Sequence, residues 1–211
     1  MNKREFIDLR EKMVESQLEA RGISDVRVLE AFRNVPREKF VPEHLQDLVY
    51  LDSPLSIGEG QTISQPYTVA FMTELLELEP ESKLLEIGTG SGYQAAILAE
   101  IVSEVYTIER LESLAREAEE TLKELGYTNV YVKVGDGSEG WLEEAPFDRI
   151  LVTAAATEIP EALFDQLSDE GILVAPVGSS FSQDMVRFTK VGNRLEKESF
   201  GKFRFVPLIE E

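Results

Sequence analysis

The sequence predicts a Rossmann-like α/β fold: a doubly wound, mostly parallel sheet with a helical N-terminal layer and a C-terminal β-hairpin. Short apolar runs alternate with amphipathic segments from about residue 80 onward. A glycine-rich turn follows the first of these runs, and two apolar segments joined by Gly192-Asn193 come near the end. With 211 residues and 43% hydrophobic content, the chain is long enough for one domain with a continuous core.

The first 50 residues predict a helical layer packed against the main domain. An apolar stripe supports a helix over residues 4–20, which Gly22 closes. Ser24 or Asp25 then caps a second helix that runs to Phe32.

Residues 51–67 have a different composition, rich in Gly, Pro and hydroxyl residues with apolar residues between them. This mixture predicts an ordered loop, of a kind that often carries function on a rigid scaffold. Pro66 opens a helix that continues to Leu78.

Residues 80–211 predict the cofactor-binding core and the C-terminal strands. The predicted strands are 84–87, 104–109, 130–134, 147–153 and 172–175, and the predicted helices are 92–102, 111–125 and 160–167. A hairpin of residues 185–191 and 194–200 follows. Alternation of strands and helices implies parallel pairing with helices on both faces of the sheet.

Composition limits the function. Lys and Arg total 21 against 40 Asp and Glu, a net charge of −19, which disfavours nucleic acid as a partner because phosphates would be repelled. The absence of Cys excludes thiolate metal sites, and the single His44 is expected at the surface, so we predict no metal. No segment is apolar for long enough to cross a membrane, and we expect a cytoplasmic monomer.

The glycine-rich turn places Gly88, Gly90 and Gly92 after Glu86. A dinucleotide fingerprint would place its third glycine one residue later, where this chain has Tyr93. The spacing E-x-G-x-G-x-G instead resembles motif I of S-adenosylmethionine (AdoMet) methyltransferases. Glu86 can attract the ammonium group of that ligand directly or through a bridging water.

Two more acidic residues follow predicted strands. Glu109 ends the second apolar run, about twenty residues beyond the first glycine, where a carboxylate binds a ribose diol in this kind of fold. Asp136 lies between Gly135 and Gly137 after the third run, and it can accept a hydrogen bond from an adenine amino group.

The order of these motifs along the chain resembles the protein L-isoaspartate O-methyltransferase family. The matching stretches are residues 60–67 (GQTISQPY), 85–93 (LEIGTGSGY), 135–141 (GDGSEGW), 145–148 (APFD) and 205–208 (FVPL). The resemblance implies methyl transfer from S-adenosyl-L-methionine to the free carboxylate of L-isoaspartyl residues in damaged proteins and peptides. The products would be S-adenosyl-L-homocysteine and a methyl ester, which collapses to a succinimide and so begins repair.

The resemblance also implies roles for particular residues. Ser64 would be the catalytic residue, and the substrate would be bound by Gln61, Thr62, Ser64 and Val206, the last through main-chain pairing with the peptide. The cofactor would be bound by Ile63, Ser64, Tyr67, Glu86, Gly88, Gly90, Gly92, Glu109, Arg110, Asp136, Gly137 and Thr153. Some relatives carry His where this chain has Tyr67, so no imidazole acts at that position here.

The expected chemistry fits a sequence with almost no His. A carboxylate with a pKa of roughly 3.7 is already ionised at neutral pH, so methyl transfer to it requires no general base. Catalysis then depends on positioning the carboxylate and removing water from it. The hydroxyl groups of Thr62 and Ser64 can orient the anion without neutralising it.

Two alternatives remain open from the residues alone. One is a methyltransferase with another acceptor, although the acidity and the segment Thr153-Ala154-Ala155-Ala156, in place of N/D-P-P-Y, disfavour a nucleic-acid base. The other is a non-catalytic module that binds AdoMet or NAD, of which NAD is disfavoured by the glycine spacing.

Overall fold

The computed structural model describes residues 1–179, 181–192 and 194–208. Its α-helices are α1 (Lys3–Met13), α2 (Val26–Asn34), α3 (Pro66–Leu75), α4 (Tyr93–Ala99), α5 (Glu112–Glu124) and α6 (Glu161–Asp165). Its strands are β1 (Leu55–Gly58), β2 (Gln61–Ile63), β3 (Lys83–Ile87), β4 (Glu104–Glu109), β5 (Val130–Val134), β6 (Phe147–Val152), β7 (Leu167–Ser179), β8 (Ser182–Val191) and β9 (Arg194–Phe203).

Seven strands form the central sheet in the order β5-β4-β3-β6-β7-β8-β9. Strands β5, β4, β3, β6 and β7 pair in parallel, whereas β7, β8 and β9 pair antiparallel. The predicted fold class is therefore confirmed, including the C-terminal hairpin. Asn193, predicted in the hairpin turn, lies outside the described residues.

The N-terminal layer begins with a capping box. The Asn2 side chain accepts from backbone N–H groups of the first turn of α1, and the Glu5 carboxylate accepts from the Asn2 N–H. A π-helical turn and a 3-10 turn extend α1 to Gly22, whose φ of 97° ends the helix as predicted. Asp25 caps α2 by accepting from Arg27 and Val28 N–H groups. This layer packs on α3 and α4 through one shared apolar core.

Residues 51–67, expected to form a loop, contain the antiparallel hairpin β1–β2, with Leu55 opposite Ile63. The apolar residues between the Gly and Pro positions are the buried members of this hairpin. A positive φ at Glu59 and at Gly60 forms its turn. The sequence does not predict these two strands, because each is too short to show a clear alternation of apolar and polar residues.

Several predicted boundaries differ from the structure, among them the end of α4 at Ala99 instead of residue 102. Tertiary contacts explain the differences in three elements. Helix α3 ends at Leu75 rather than Leu78, since Arg149 donates to the carbonyls of Leu76 and Glu77 (2.6 and 3.0 Å). The helix predicted at 160–167 is shorter, and the strand predicted at 172–175 is longer, because Leu167 already pairs with Phe147. At the other end, β7 is lengthened by its pairing with β8.

Candidate active site

The carboxyl ends of β3 and β6 meet where the chain reverses its direction across the sheet. From β3 the chain adds β4 and β5 on one side, and then returns to place β6 on the other side. In open α/β sheets, ligands bind at such a switch point. Here Thr153, directly after β6, donates its hydroxyl to the carbonyls of Ile87 and Gly88 (2.9 and 2.8 Å).

Close backbone approach forms the floor of this site. Gly88 has a φ of +100°, and a Cβ there would lie 2.4 Å from Thr153 Oγ1. A Cβ on Gly137, in the turn after β5, would lie 2.3 Å from Ile87 Cγ2. Glycine is therefore required at both positions, because a side chain at Gly88 would displace Thr153 after β6 and one at Gly137 would displace Ile87 at the end of β3.

Glu86 is completely buried in β3, and its two oxygens have different surroundings. Oε2 accepts a hydrogen bond from Thr107 Oγ1 (2.6 Å), whereas Oε1 has no hydrogen-bond partner among the residues that the structure describes. Burial raises the pKa of Glu86 to about 8; the nearby Glu109 charge adds to the rise, and the Thr107 bond opposes it. A cation placed beside Oε1 would stabilise the ionised carboxylate, as the ammonium group of AdoMet would.

Glu109 presents an ordered carboxylate at the end of β4. Oε2 accepts from the Gly90 N–H (2.9 Å) and Oε1 from the Leu111 N–H (3.0 Å). These bonds fix the side chain, and each oxygen retains capacity to accept from a ribose hydroxyl. The same bonds tie the glycine turn after β3 to the start of α5.

Two clefts that share a wall lie beside the glycine turn and Glu109, whereas the buried Glu86 lines neither of them. The first encloses about 660 Å³, including solvent at its mouth; of the predicted residues it is lined by Gln61, Thr62, Gly88, Gly90, Glu109, Arg110, Gly137, Thr153 and Val206. The second encloses about 440 Å³ and is lined by Thr62, Ile63, Ser64, Gly88, Gly90 and Thr153. They form a groove, named the cofactor groove below, that runs from Glu109 to Ser64.

A wider cleft of about 940 Å³, named the acceptor cleft below, opens on the far side of Ser64. Arg204, Phe205 and Val206 form one side of it, and Thr62 and Ser64 belong to both spaces. The Val206 carbonyl accepts from the Ala155 N–H (2.7 Å), which anchors the C-terminal segment beside β6. Ser64 is half-buried at the junction, and its hydroxyl forms no hydrogen bond within the described part of the chain.

Three other predicted residues lie behind the groove rather than on its wall. The Tyr67 ring is sandwiched between the Arg21 guanidinium, 3.5 Å from its centroid, and Phe71. Gly92 begins α4 and packs against α5, since a Cβ there would lie 3.2 Å from Ala118. Asp136 Oδ1 accepts from the Ser138 N–H and hydroxyl (2.8 and 2.7 Å). Ligand contacts of these three residues stay predictions.

The groove also contains apolar residues that were not among the predicted site residues. Ile87 and Ile108 are the neighbours of the two predicted acids in β3 and β4, and Leu208 comes from the C-terminal segment. Strand-end position could have revealed the two Ile residues, because the carboxyl ends of parallel strands share one edge. No local pattern places Phe205 or Leu208 beside residues more than 50 positions earlier; only the family-matching stretch 205–208 indicated that this segment approaches the site.

The fold and the groove define a class I AdoMet-dependent methyltransferase: the buried Glu86 oxygen suits an ammonium group, and the Glu109 carboxylate suits a ribose diol. Residues 8–211 match the family described as protein-L-isoaspartate(D-aspartate) O-methyltransferase (PCMT). The chain belongs to this family.

Relatives of similar length support the assignment. Protein-L-isoaspartate O-methyltransferase of Methanoculleus marisnigri is 55% identical over 200 residues, covering 95% of this chain and 91% of the relative. The enzyme of that name from Syntrophus aciditrophicus is 53% identical over 209 residues, with coverages of 98% and 96%.

Solved structures agree. A putative protein-L-isoaspartate O-methyltransferase from Plasmodium falciparum, in complex with S-adenosyl-L-homocysteine, has a TM-score of 0.83 at 29% identity and covers 96% of this chain and 99% of its own. A second protein-L-isoaspartate O-methyltransferase has a TM-score of 0.86 at 31% identity, over 94% of this chain and 65% of that longer one.

Proposed function

We infer that the chain transfers the methyl group of S-adenosyl-L-methionine to the free carboxylate of L-isoaspartyl residues in damaged proteins and peptides. The products are a methyl ester and S-adenosyl-L-homocysteine, so the chain is a protein repair methyltransferase. Family membership over residues 8–211 supports this activity. A related structure that contains S-adenosyl-L-homocysteine supports the cofactor.

The cofactor groove fits AdoMet in three places. Glu86, buried next to the groove residue Ile87, would stabilise the ammonium group, and Glu109 the ribose hydroxyls. Gly88, Gly90 and Gly137 line the groove without side chains, so the ligand could pack closely against them. When bound, AdoMet supplies an electrophilic methyl group on a sulfonium centre. Ile63, Arg110, Asp136 and Thr153 complete the proposed set of cofactor contacts, together with Tyr67, Gly90, Gly92 and Ser64.

The acceptor carboxylate would lie at the junction of the two spaces, where Ser64 belongs to both. That shared position is the observation that carries the proposal for Ser64. Its hydroxyl and that of Thr62 would donate to one carboxylate oxygen and leave the other free for attack. An ionised carboxylate requires no base. The residues at the junction would instead orient the anion and exclude water from it.

Peptide binding is proposed along the acceptor cleft. Thr62 forms its β2 side and the Val206 segment its opposite side, whereas Gln61, also proposed to bind the substrate, lines the adjoining cofactor groove. The backbone of this segment would pair with the substrate, a mode of recognition that tolerates many side-chain sequences. Residues 51–67 would then serve as the active-site segment of a single domain, with residues 1–50 as a supporting layer and residues 80–211 as the cofactor-binding core.

We further propose a cytoplasmic monomer that does not bind nucleic acid. The net charge of −19 supports the last point, since it opposes contact with phosphates. None of the helices among the described residues is both long and apolar enough to cross a membrane. Across the same residues, no group of His, Cys, Asp and Glu side chains is arranged to hold a metal ion.

Methyl transfer from labelled AdoMet to two otherwise identical peptides, one with L-isoaspartate and one with L-aspartate, tests the acceptor directly. We expect base-labile ester on the isoaspartyl peptide alone. Ester on both peptides, or on neither with AdoMet still bound, would require a different acceptor.

A further inference from the structure

Arg37 connects the N-terminal layer to the active-site segment. Its side chain is completely buried, although it lies in a charged stretch between two prolines. Nε donates to the Val49 carbonyl (2.9 Å) and Nη2 to the Ser64 carbonyl (2.7 Å). The guanidinium carbon also lies 4.7 Å from the centre of the Tyr93 ring. One rigid group therefore holds the residue proposed to bind the acceptor carboxylate.

The surroundings of Arg37 differ from those of Arg10, the other buried arginine of this layer. Arg10 pairs with the Glu38 carboxylate at 3.2 Å, whereas Arg37 forms no ion pair within the described ranges. Burying a cation without a carboxylate partner is costly. The hydrogen bonds that offset this cost go to main-chain carbonyls, so the Arg37 side chain and the Ser64 backbone are strongly coupled.

A second contact holds the residues directly after Ser64. Asp52 Oδ1 accepts from the Tyr67 N–H (3.2 Å), and Oδ2 accepts from the Gln65 side chain (3.5 Å). Arg21 forms an ion pair with Asp52 and also covers the Tyr67 ring. The backbone from residue 64 to residue 67 is thus held at both ends by residues that lie outside the cofactor groove.

We propose that Arg37 and Asp52 are positioning residues for methyl transfer, because together they fix the Ser64 backbone and so the direction of its hydroxyl. This inference rests on the proposed role of Ser64 at the acceptor carboxylate. A displacement of about 1 Å in a reacting geometry lowers turnover by roughly 100-fold. Loss of either contact therefore lowers kcat much more than it weakens AdoMet binding. Ser64 and Tyr67 are also proposed to contact AdoMet, but the charged cofactor contacts, Glu86 and Glu109, lie on separate strands.

The variant Arg37→Lys tests the first contact, with Arg10→Lys as its matched control. Lysine retains the charge but cannot reproduce the fork that joins the Val49 and Ser64 carbonyls. We expect kcat on an isoaspartyl peptide to fall about 10- to 100-fold in Arg37→Lys, with the AdoMet Kd within about twofold by calorimetry. In Arg10→Lys, we expect a lower Tm with kcat within about twofold, because Arg10 contacts Arg33, Asn34, Glu38 and Tyr50 instead. Equal kcat losses in the two variants would overturn the proposal.

Asp52→Asn tests the second contact without disturbing the core, since the Asp52 side chain is 25% exposed. We expect a kcat loss of about three- to tenfold, because the amide can still accept one of the two bonds. Unchanged kcat in a folded Asp52→Asn protein would contradict the proposal even if Arg37→Lys failed to fold.

A double-mutant cycle separates positioning of Ser64 from a general structural effect. If Arg37 acts through the Ser64 hydroxyl, Arg37→Lys lowers kcat much less in a Ser64→Ala background than in the wild type. Equal losses in both backgrounds would remove Ser64 from the explanation. The wild-type assay on isoaspartyl and aspartyl peptides is independent of this cycle, so a wrong acceptor and a wrong positioning role give different results.

Discussion

The two sides of the groove are built in different ways. On the cofactor side, Glu86 and Glu109 extend from adjacent parallel strands, and their register places Glu86 opposite Thr107. On the acceptor side, Ser64 belongs to a short segment held by Arg37, 27 residues earlier, through a bond to its backbone. The cofactor side is fixed by the sheet, whereas the acceptor side depends on a separate layer of the protein.

This difference predicts how each side responds to substitution. A change in the cofactor side should alter ligand affinity, because the sheet keeps its geometry when one side chain is lost. A change in the acceptor side should alter turnover, since its geometry depends on a few hydrogen bonds.

The largest effect is expected for Ser64→Ala. Loss of the hydroxyl should lower kcat by about 100-fold, or about 3 kcal/mol, because the carboxylate oxygen is no longer held in line with the methyl group. The Tm should not change, because the hydroxyl has no hydrogen-bond partner in the described structure. Steady-state kinetics with an isoaspartyl peptide, together with a thermal melt, measures both.

The control for that substitution is Ser56→Ala, an exposed serine in β1 of the same hairpin. It should retain wild-type kcat. Full activity in Ser64→Ala would show that the acceptor side does not depend on this hydroxyl, and the contrast between the two sides would then be lost.

A smaller effect is expected for Glu109→Ala on the cofactor side. The AdoMet affinity should weaken by about 1–3 kcal/mol through loss of a charge-assisted contact to the ribose. Calorimetry with AdoMet measures this change, and Glu104→Ala, at the opposite end of β4, is the control. Unchanged affinity in Glu109→Ala would remove the residue from the binding site.

The last expected effect is on stability and leaves activity aside: a pH dependence of unfolding caused by Glu86. Its pKa is raised to about 8 in the folded chain, so the folded state keeps a proton that the unfolded state releases above pH ~4.5. The stabilisation is complete below that lower value and is lost as the pH rises towards 8. Between these limits, the free energy of unfolding of the wild type should decrease with pH more steeply than that of Glu86→Gln. The difference in slope should be about 1 kcal/mol per pH unit.

Urea unfolding at several pH values between 5.5 and 8, without AdoMet, compares the two proteins. Parallel pH profiles for wild type and Glu86→Gln would mean that Glu86 is already ionised in the folded chain. Binding of the ammonium group of AdoMet would then not be coupled to the loss of a proton from Glu86.

The sequence alone determined the fold class and the position of the acids on the cofactor side. Alternating apolar runs specify parallel strands, and the strand ends must meet at one edge of the sheet. Glu86, Glu109 and the glycine turn could therefore be assigned to one site from local patterns. The family resemblance placed Ser64 and Val206 near the same site, which local patterns could not have done.

Tertiary structure alone decided which residues support the acceptor side. Arg37 lies among Glu38 and Lys39, a composition typical of an exposed segment, yet packing against Tyr93 and Val49 buries it completely. The hairpin β1–β2 and the full length of β7 likewise depend on partners far along the chain. Every residue has a main-chain carbonyl, so the identity of the accepting residue does not reveal such a hydrogen bond and the sequence cannot show it.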